Sequence, residues 1–192
     1  MSSPNPAAVE FLLTRRSRPA KTLTTPAPSK ADLTPILTAA ARTPDHGKLE
    51  PWRFIVLEQP ALQRLGTSAR TRGADLGLEQ DKINKIGAMF ETAPLSVAVI
   101  ASPKPSEKIP QIEQTLSAGA VCLALLNAAL ASGWGANWLT GWTAFDRPFL
   151  TDALHLTSEE VVAGFIHLGT ETSKPPDRPR PDLSAITEWV PE

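Results

Sequence analysis

Two groups of cationic and hydrogen-bonding side chains stand where predicted elements end: Arg15, Arg16 and Ser17 in one, Arg42 and His46 in the other. If such groups converge, their forked guanidinium donors and the serine hydroxyl suit a phosphate or another anion. The alternative is that each cation sits at a helix C-terminus, where the dipole is worth only ~0.3–1 kcal/mol and water covers the rest. Spacing alone favours the second reading. A third stretch, GWGANWLTGW at 133–142, sets three tryptophans among three glycines, so stacking surface lies beside backbone that a planar heterocycle can approach closely. Core packing of a strand and turn explains it at least as well.

Other chemistries lack their residues. One cysteine and three scattered histidines give no zinc spacing, and no Gly-x-Ser-x-Gly elbow, Walker loop or Gly-x-Gly-x-x-Gly turn is present. His155 reads as a polar helix end, His167 as an alternating strand residue, and Cys122 as inert packing inside an apolar helix. Nineteen basic residues nearly balance twenty acidic ones, which gives no large field for nucleic acid or an anionic membrane. A lone cysteine and a start without leader character point to a cytoplasmic setting. The apolar run at 118–139 is broken by Asn127, Ser132 and two glycines, so it reads as a buried helix and a strand, with no membrane span expected.

The elements that must position these residues follow from periodicity. At 192 residues the chain suits one domain plus tails. Residues 7–15 form a short helix with a basic end at Pro19, and 19–28 an extended connector. Ser29 and Asp32 resemble a capping box for a helix with Leu33, Ile36, Leu37, Ala40 and Ala41 on one face, closed before Pro44. Strands are predicted at 52–58, 95–102, 135–140 and 161–169. Polar helical pieces fall at 60–72 and 79–92, an apolar helix in the middle of the core at 112–131, and a helix from Asp146 at 146–154. Asp45 could orient His46 or simply make the turn, and Lys48 and Glu50 read as surface charges. From Thr170 the chain turns proline-rich and charged, yet Leu183, Ile186, Trp189 and Val190 offer apolar surface for a partner subunit.

These pieces, in this order, resemble the nitroreductase family of FMN flavoproteins, particularly its small-chain branch. The resemblance rests on TRRSRP near the start, ARTPDHGKLEPWRFIV after the second helix, EQTLSAGAVCLALLNAALASGWGANWLTG in the middle and GFIHLGT near the end. It implies an α+β fold with a central mixed, mainly antiparallel sheet flanked by helices, in an intertwined homodimer with FMN at the subunit interface. Residues 1–170 would be a single FMN-binding domain and 171–192 a tail on the other protomer. Arg15, Arg16 and Ser17 match the family's FMN-binding motif; Arg42 and His46 match positions that also touch FMN, at least one of them reaching the opposite chain's flavin. Trp138, Leu139 and Thr140 match the segment along the isoalloxazine, and the stretch from Ala128 to Gly133 one assigned to the nicotinamide cofactor. Relatives often carry arginine at the position of Leu139 and alanine at that of Thr43.

The implied activity is hydride transfer from NADH or NADPH to the flavin and then reduction of a nitroaromatic, quinone or similar small acceptor, by a ping-pong scheme with no catalytic side chain and no metal. His46 could supply protons. A flavin store or redox sensor without turnover is the alternative.

Overall fold

The computed structural model describes residues 3–191. Helix α1 (Pro6–Thr14) is followed by a two-residue strand, β1 (Leu23–Thr24), and by α2 (Lys30–Ala40). After the 42–50 turn come β2 (Trp52–Leu57), α3 (Gln59–Asp75), α4 (Gln80–Glu91) and β3 (Leu95–Ala101). The long α5 (Gln111–Ala131), β4 (Gly135–Leu139), α6 (Arg147–Leu154), β5 (Val161–Glu171) and a one-turn α7 (Leu183–Ile186) complete the order. The segment 19–28 is thus not wholly a connector, because Leu23 and Thr24 pair with Glu171 and Thr170 at the end of β5.

Local chemistry explains where the helices start. Ser29 and Asp32 make the capping box of α2, each side chain bonding the other's backbone amide. Asp146 caps α6 by accepting from the Phe149 amide at 3.0 Å, and both its oxygens also bind Arg72 of α3. That guanidinium holds the Asp146 carboxyl below its ordinary range.

Strand pairing runs β2, β3, β5, with β4 and β1 sharing the far edge of β5. Every pairing is antiparallel, whereas the sequence expectation allowed a mixed sheet. Because successive strand residues face opposite sides, β3 serves two cores at once. Val97 and Val99 meet Val121, Leu125 and Ile36 beneath α5 and α2, while Ala98 and Ile100 meet Leu65, Phe90 and Leu150 beneath α3, α4 and α6. Fully burying one such side chain contributes ~1.5–3 kcal/mol, so the sheet is fixed from both faces.

Helix α5 departs from expectation. It is long and apolar enough to cross a membrane by length and composition, but Val121, Cys122, Leu125 and Ala129 pack on the sheet. Its other face leaves Ile112, Leu116 and Leu123 exposed, so the helix is a wall of the core and not its centre. Helix α1 is barer still, with Val9, Leu12 and Leu13 all more than half exposed.

Candidate functional site

The chain leaves α1 at Thr14 with Arg15 already extended (φ −57°, ψ 144°), so residues 15–18 run along the free edge of β4. Two contacts fix them there. The Arg18 amide donates to the Ala136 carbonyl at 2.8 Å, and the Arg18 carbonyl accepts from the Asn137 side chain. The Arg18 guanidinium turns back to the Arg16 carbonyl at 2.7 Å and pairs with Glu171. Arg15 donates through Nη2 to the Ser17 hydroxyl at 3.1 Å.

This corner of the molecule encloses a cavity of about 310 Å³, lined among others by Arg15, Arg16, Arg18, Gly133, Trp134 and Lys174. Its electrostatics are lopsided. Arg16 reaches Asp177 of the tail only at 3.5 Å, and Asp177 is shared with Arg180. Burial lowers the Arg15 pKa, and repulsion from Arg180, Arg16 and Arg18 lowers it further. Most telling, Arg15 Nε is buried with no hydrogen-bond partner among the described residues, and Arg16 Nη1, also buried, has only the 3.5 Å ion pair to Asp177. A buried guanidinium donor without an acceptor is costly, and an anion in the cavity would satisfy it. Lys174 and Arg180, which sequence reasoning passed over, join this corner because the tail folds back on Thr22 through the Thr172 amide at 2.9 Å. Their only signal was position in a basic, proline-rich segment.

The second group sits elsewhere. Arg42 borders an open groove with Pro44, Leu123 and Asn127, whose Oδ1 is buried and unpartnered. In the 42–50 turn Asp45 takes the amides of Leu49 and Glu50, each at 3.0 Å, so it makes the turn and does not orient His46. Gly47 has φ +71°, a left-handed conformation that favours glycine, and a Cβ there would push on the end of the Ile109 side chain. Trp52 donates to Ser117 of α5 at 3.2 Å, and Ser117 donates to the Pro44 carbonyl at 2.9 Å. His46 instead pairs through Nδ1 with Glu113 at 2.8 Å. Lys48 and Glu50 are exposed, as surface charges should be.

The turn docks at Ser117 of α5, thirteen helical steps or about 20 Å from Leu130 at the cationic corner, whereas Arg42 lies nearer to that corner, beside Asn127. Among the described residues, Arg42 and His46 line no cavity in common with Arg15, Arg16 and Ser17.

The tryptophan-rich stretch does not form one stacking platform. Trp134 is half-buried against the α2–α5 core and lines the cavity, and Trp142 packs edge-on to Phe149 in the other core at 5.8 Å. Trp138 crosses β5 at Gly164, whose missing Cβ makes the space, and its indole nitrogen donates to the Ala163 carbonyl at 3.3 Å. Of the other residues expected at the site, Leu139 is half-buried, Thr140 exposed, Ala128 half-buried in the α2–α5 core and Gly133 at the cavity. Cys122 is buried, with its thiol pushed up to about 12 by burial, which suits packing and not reactivity. No cluster of three potential metal ligands occurs among the described residues.

Comparison with known proteins adds to this geometry. The model of the Nitroreductase family matches residues 12–170. An Escherichia coli K12 protein named "Putative NAD(P)H nitroreductase YdjA" is 34% identical over 167 residues, covering 87% of this chain and 90% of that protein. Among solved structures, a nitroreductase-like family protein from Bacillus cereus superposes with a TM-score of 0.81 at 20% identity over the full length of both chains. A protein from Desulfovibrio desulfuricans solved in complex with FMN gives a TM-score of 0.74 at 23% identity, covering 98% of this chain and 99% of that one.

Proposed function

The chain belongs to the nitroreductase family, and we propose that it is an FMN-dependent oxidoreductase fed by NADH or NADPH. The observation that carries the reading is a cavity beside two buried guanidinium nitrogens without hydrogen-bond partners among the described residues, Arg15 Nε and Arg16 Nη1, the second held only by a long ion pair to Asp177. FMN brings a dianionic phosphate to such a corner. Arg15, Arg16 and Ser17 would hold it, with Lys174 and Arg180 adding positive charge from the tail. When bound, FMN supplies the redox chemistry, accepting a hydride from reduced nicotinamide and passing electrons to a nitroaromatic, quinone or similar small molecule in ping-pong order.

The chain's part is to bind, orient and shield. Fixed cations near a ligand that becomes electron-rich favour its reduced state, by about tenfold for each ~1.4 kcal/mol. Trp138, Leu139 and Thr140 leave the end of β4 toward solvent, where they can border a flat ring, and the stretch from Ala128 to Gly133 leads into the cavity wall. With Leu139 in place of a cation, that tuning falls to the arginines.

We further propose a homodimer that completes the site. Support comes from His46, tied to the first turn of α5, from Arg42, which opens on a groove separate from the corner, and from the bare apolar faces of α1 and α5. In the tail, Leu183, Ile186, Trp189 and Val190 are all more than 60% exposed and suit docking on the second protomer. Residues 1–170 then act as one domain and 171–192 as a clasp. Balanced charge gives no attraction to nucleic acid or membrane, and a lone buried cysteine suits the cytoplasm.

The test is the visible spectrum of freshly purified protein before and after anaerobic NADPH. A yellow flavin band that bleaches, followed by reoxidation with a quinone, is expected. Colourless protein that ignores added FMN would overturn the reading, and bound flavin that NADPH cannot bleach would identify a store or sensor instead.

A further inference from the structure

The tail brings an anion of its own to the cationic corner. The Thr172 amide and hydroxyl fix the end of β5 to the Thr22 carbonyl at 2.9 and 3.0 Å, and residues 173–181 run on from there as a strap without regular structure. Pro175, Pro176, Pro179 and Pro181 stiffen it, and among the described residues no backbone–backbone hydrogen bond holds it. Lys174 and Pro175 line the cavity, and Asp177 follows. Its Oδ1 alone gathers the Arg178 amide at 2.8 Å, Arg180 Nη2 at 3.3 Å and Arg16 Nη1 at 3.5 Å. These donors, the Arg178 amide first, hold the carboxyl below its ordinary range, so it is charged at neutral pH.

We propose that Asp177 is an internal stand-in for the ligand's phosphate: its carboxylate pairs with Arg16 and Arg180 in the flavin-free protein and gives both up when the phosphate arrives. This rests on the flavin reading above for the identity of the ligand, and on the geometry of the corner for the exchange.

The two sides of the pair differ in what they lose by parting. The Arg16 side chain is 23% exposed and that of Asp177 80%, so water meets the carboxylate as soon as it leaves, whereas the guanidinium needs another acceptor. A phosphate monoester supplies one, with roughly two charges and three free oxygens against the single charge of a carboxylate. Held side by side the two anions repel, and Asp177 is the one that can yield. A turn of its side chain or a small shift of the strap is enough. Arg180 is then free to face the phosphate, whose charge offsets the repulsion that Arg180, Arg16 and Arg18 exert on Arg15. Riboflavin, the same ring and ribityl chain without phosphate, has nothing with which to displace Asp177. The residue therefore narrows the margin by which the corner prefers a phosphorylated flavin to a plain one.

The experiment follows anion binding to protein stripped of flavin, at constant ionic strength, in wild type, Asp177→Asn and Asp81→Asn. The last removes an equal charge from the exposed first turn of α4, which packs on the opposite face of the sheet from Trp134. Melting curves against inorganic phosphate and fluorescence titrations with FMN and riboflavin are the readouts. Asp177→Asn is expected to bind phosphate and FMN about fivefold more tightly, the scale of one exposed ion pair no longer competing. Riboflavin affinity stays level, Asp81→Asn matches wild type, and adding Arg16→Ala to Asp177→Asn cancels most of the gain. Unchanged, weaker or absent phosphate binding in Asp177→Asn overturns the proposal, because Asp177 then stands apart from the anion or holds the cations in place for it. An equal gain for riboflavin, an equal gain in Asp81→Asn, or a gain that survives Arg16→Ala overturns it too. Phosphate that binds more tightly to Asp177→Asn, while wild type takes no FMN, strikes the flavin reading and leaves the exchange standing.

Discussion

Among the described residues, two places hold buried polar nitrogens without hydrogen-bond partners, and they differ in what lies beside them. At the cationic corner, Arg15 Nε and Arg16 Nη1 face a cavity. Under α4, on the far face of the sheet, His167 of β5 is 1% exposed, neither ring nitrogen is bonded, and its register neighbour Ser96 has an orphaned hydroxyl. Burial there lowers the His167 pKa to about 4, against the smaller opposing influence of the Met89 backbone. A histidine can shed its charge when it is desolvated, whereas an arginine cannot. The interior row is thus a neutral cost of packing, and the corner keeps its charge available for a ligand. An unpartnered polar group signals binding only where a cavity adjoins it and the charge persists.

The largest effect expected from this contrast is on stability against pH. Because the folded pKa of His167 lies near 4 and that of the unfolded chain near 6.5, the unfolded state binds a proton first as pH falls. The stabilising contribution is complete above 6.5 and is lost progressively down to about 4, a change of ~3 kcal/mol at ~1.4 kcal/mol per pKa unit. Urea unfolding of wild type and His167→Leu between pH 7 and 5 checks this, before the carboxylates held low by arginine partners, such as Glu160 at about 2, begin to matter. A wild type whose slope matches that of the leucine variant would mean that the row is wet or already paired.

At the corner the sign reverses, since removing a charge should harm binding and not folding. Arg16→Ala is expected to raise the FMN dissociation constant about thirtyfold, the ~2 kcal/mol of one charge-assisted hydrogen bond. The melting temperature of the flavin-free protein should stay level or rise, because one of several mutually repelling guanidinium groups has gone. A saturating ligand at a hundred times its dissociation constant stabilises by ~2.7 kcal/mol, so the two proteins should part only when FMN is added. Fluorescence titration and paired melting curves decide it. If the flavin-free variant melts much lower, the corner is structural and the contrast with His167 fails.

Much of the frame could be read in the residues. The capping box at Ser29, the Asp146 cap, strands at 52–57 and 95–101 and the long helix at 111–131 all obey local rules of periodicity and termination. What escaped was whatever depends on distant segments. Leu23 and Thr24 are a strand only because Thr170 and Glu171 lie beside them, and two residues carry no period of their own. Composition made α5 look apolar on nearly every side, but only the packing on β3 and β5 selects the face that is buried. The three tryptophans share a decapeptide and part company because a short strand and a turn aim them at different layers. For the candidate site, the types Arg15, Arg16, Ser17, Arg42 and His46 were legible, while the nearby Glu113, Lys174 and Arg180 were not, since each is brought there by a segment remote in sequence.

The turn that carries Arg42 and His46 supplies the opposite case to both regions, because Asp45 and Ser117 tie down its backbone and its unpaired charges lie in water, and so it should respond least. Ser117 is its hinge pin, accepting from the Trp52 indole and donating to the Pro44 carbonyl. Ser117→Ala leaves both groups unsatisfied at a half-exposed place where water can reach them, so the expected loss of stability is ~1 kcal/mol, the low end for a broken pair. Flavin affinity should fall only in so far as the turn loosens. Lys48→Ala, in the same turn but with no side-chain hydrogen bond among the described residues, should move neither quantity by more than ~0.5 kcal/mol. Thermal melts and flavin titrations of the two variants side by side test whether the turn is prearranged. A Lys48 effect as large as that of Ser117 would show that charge, and not the Trp52–Ser117–Pro44 relay, holds the turn in place.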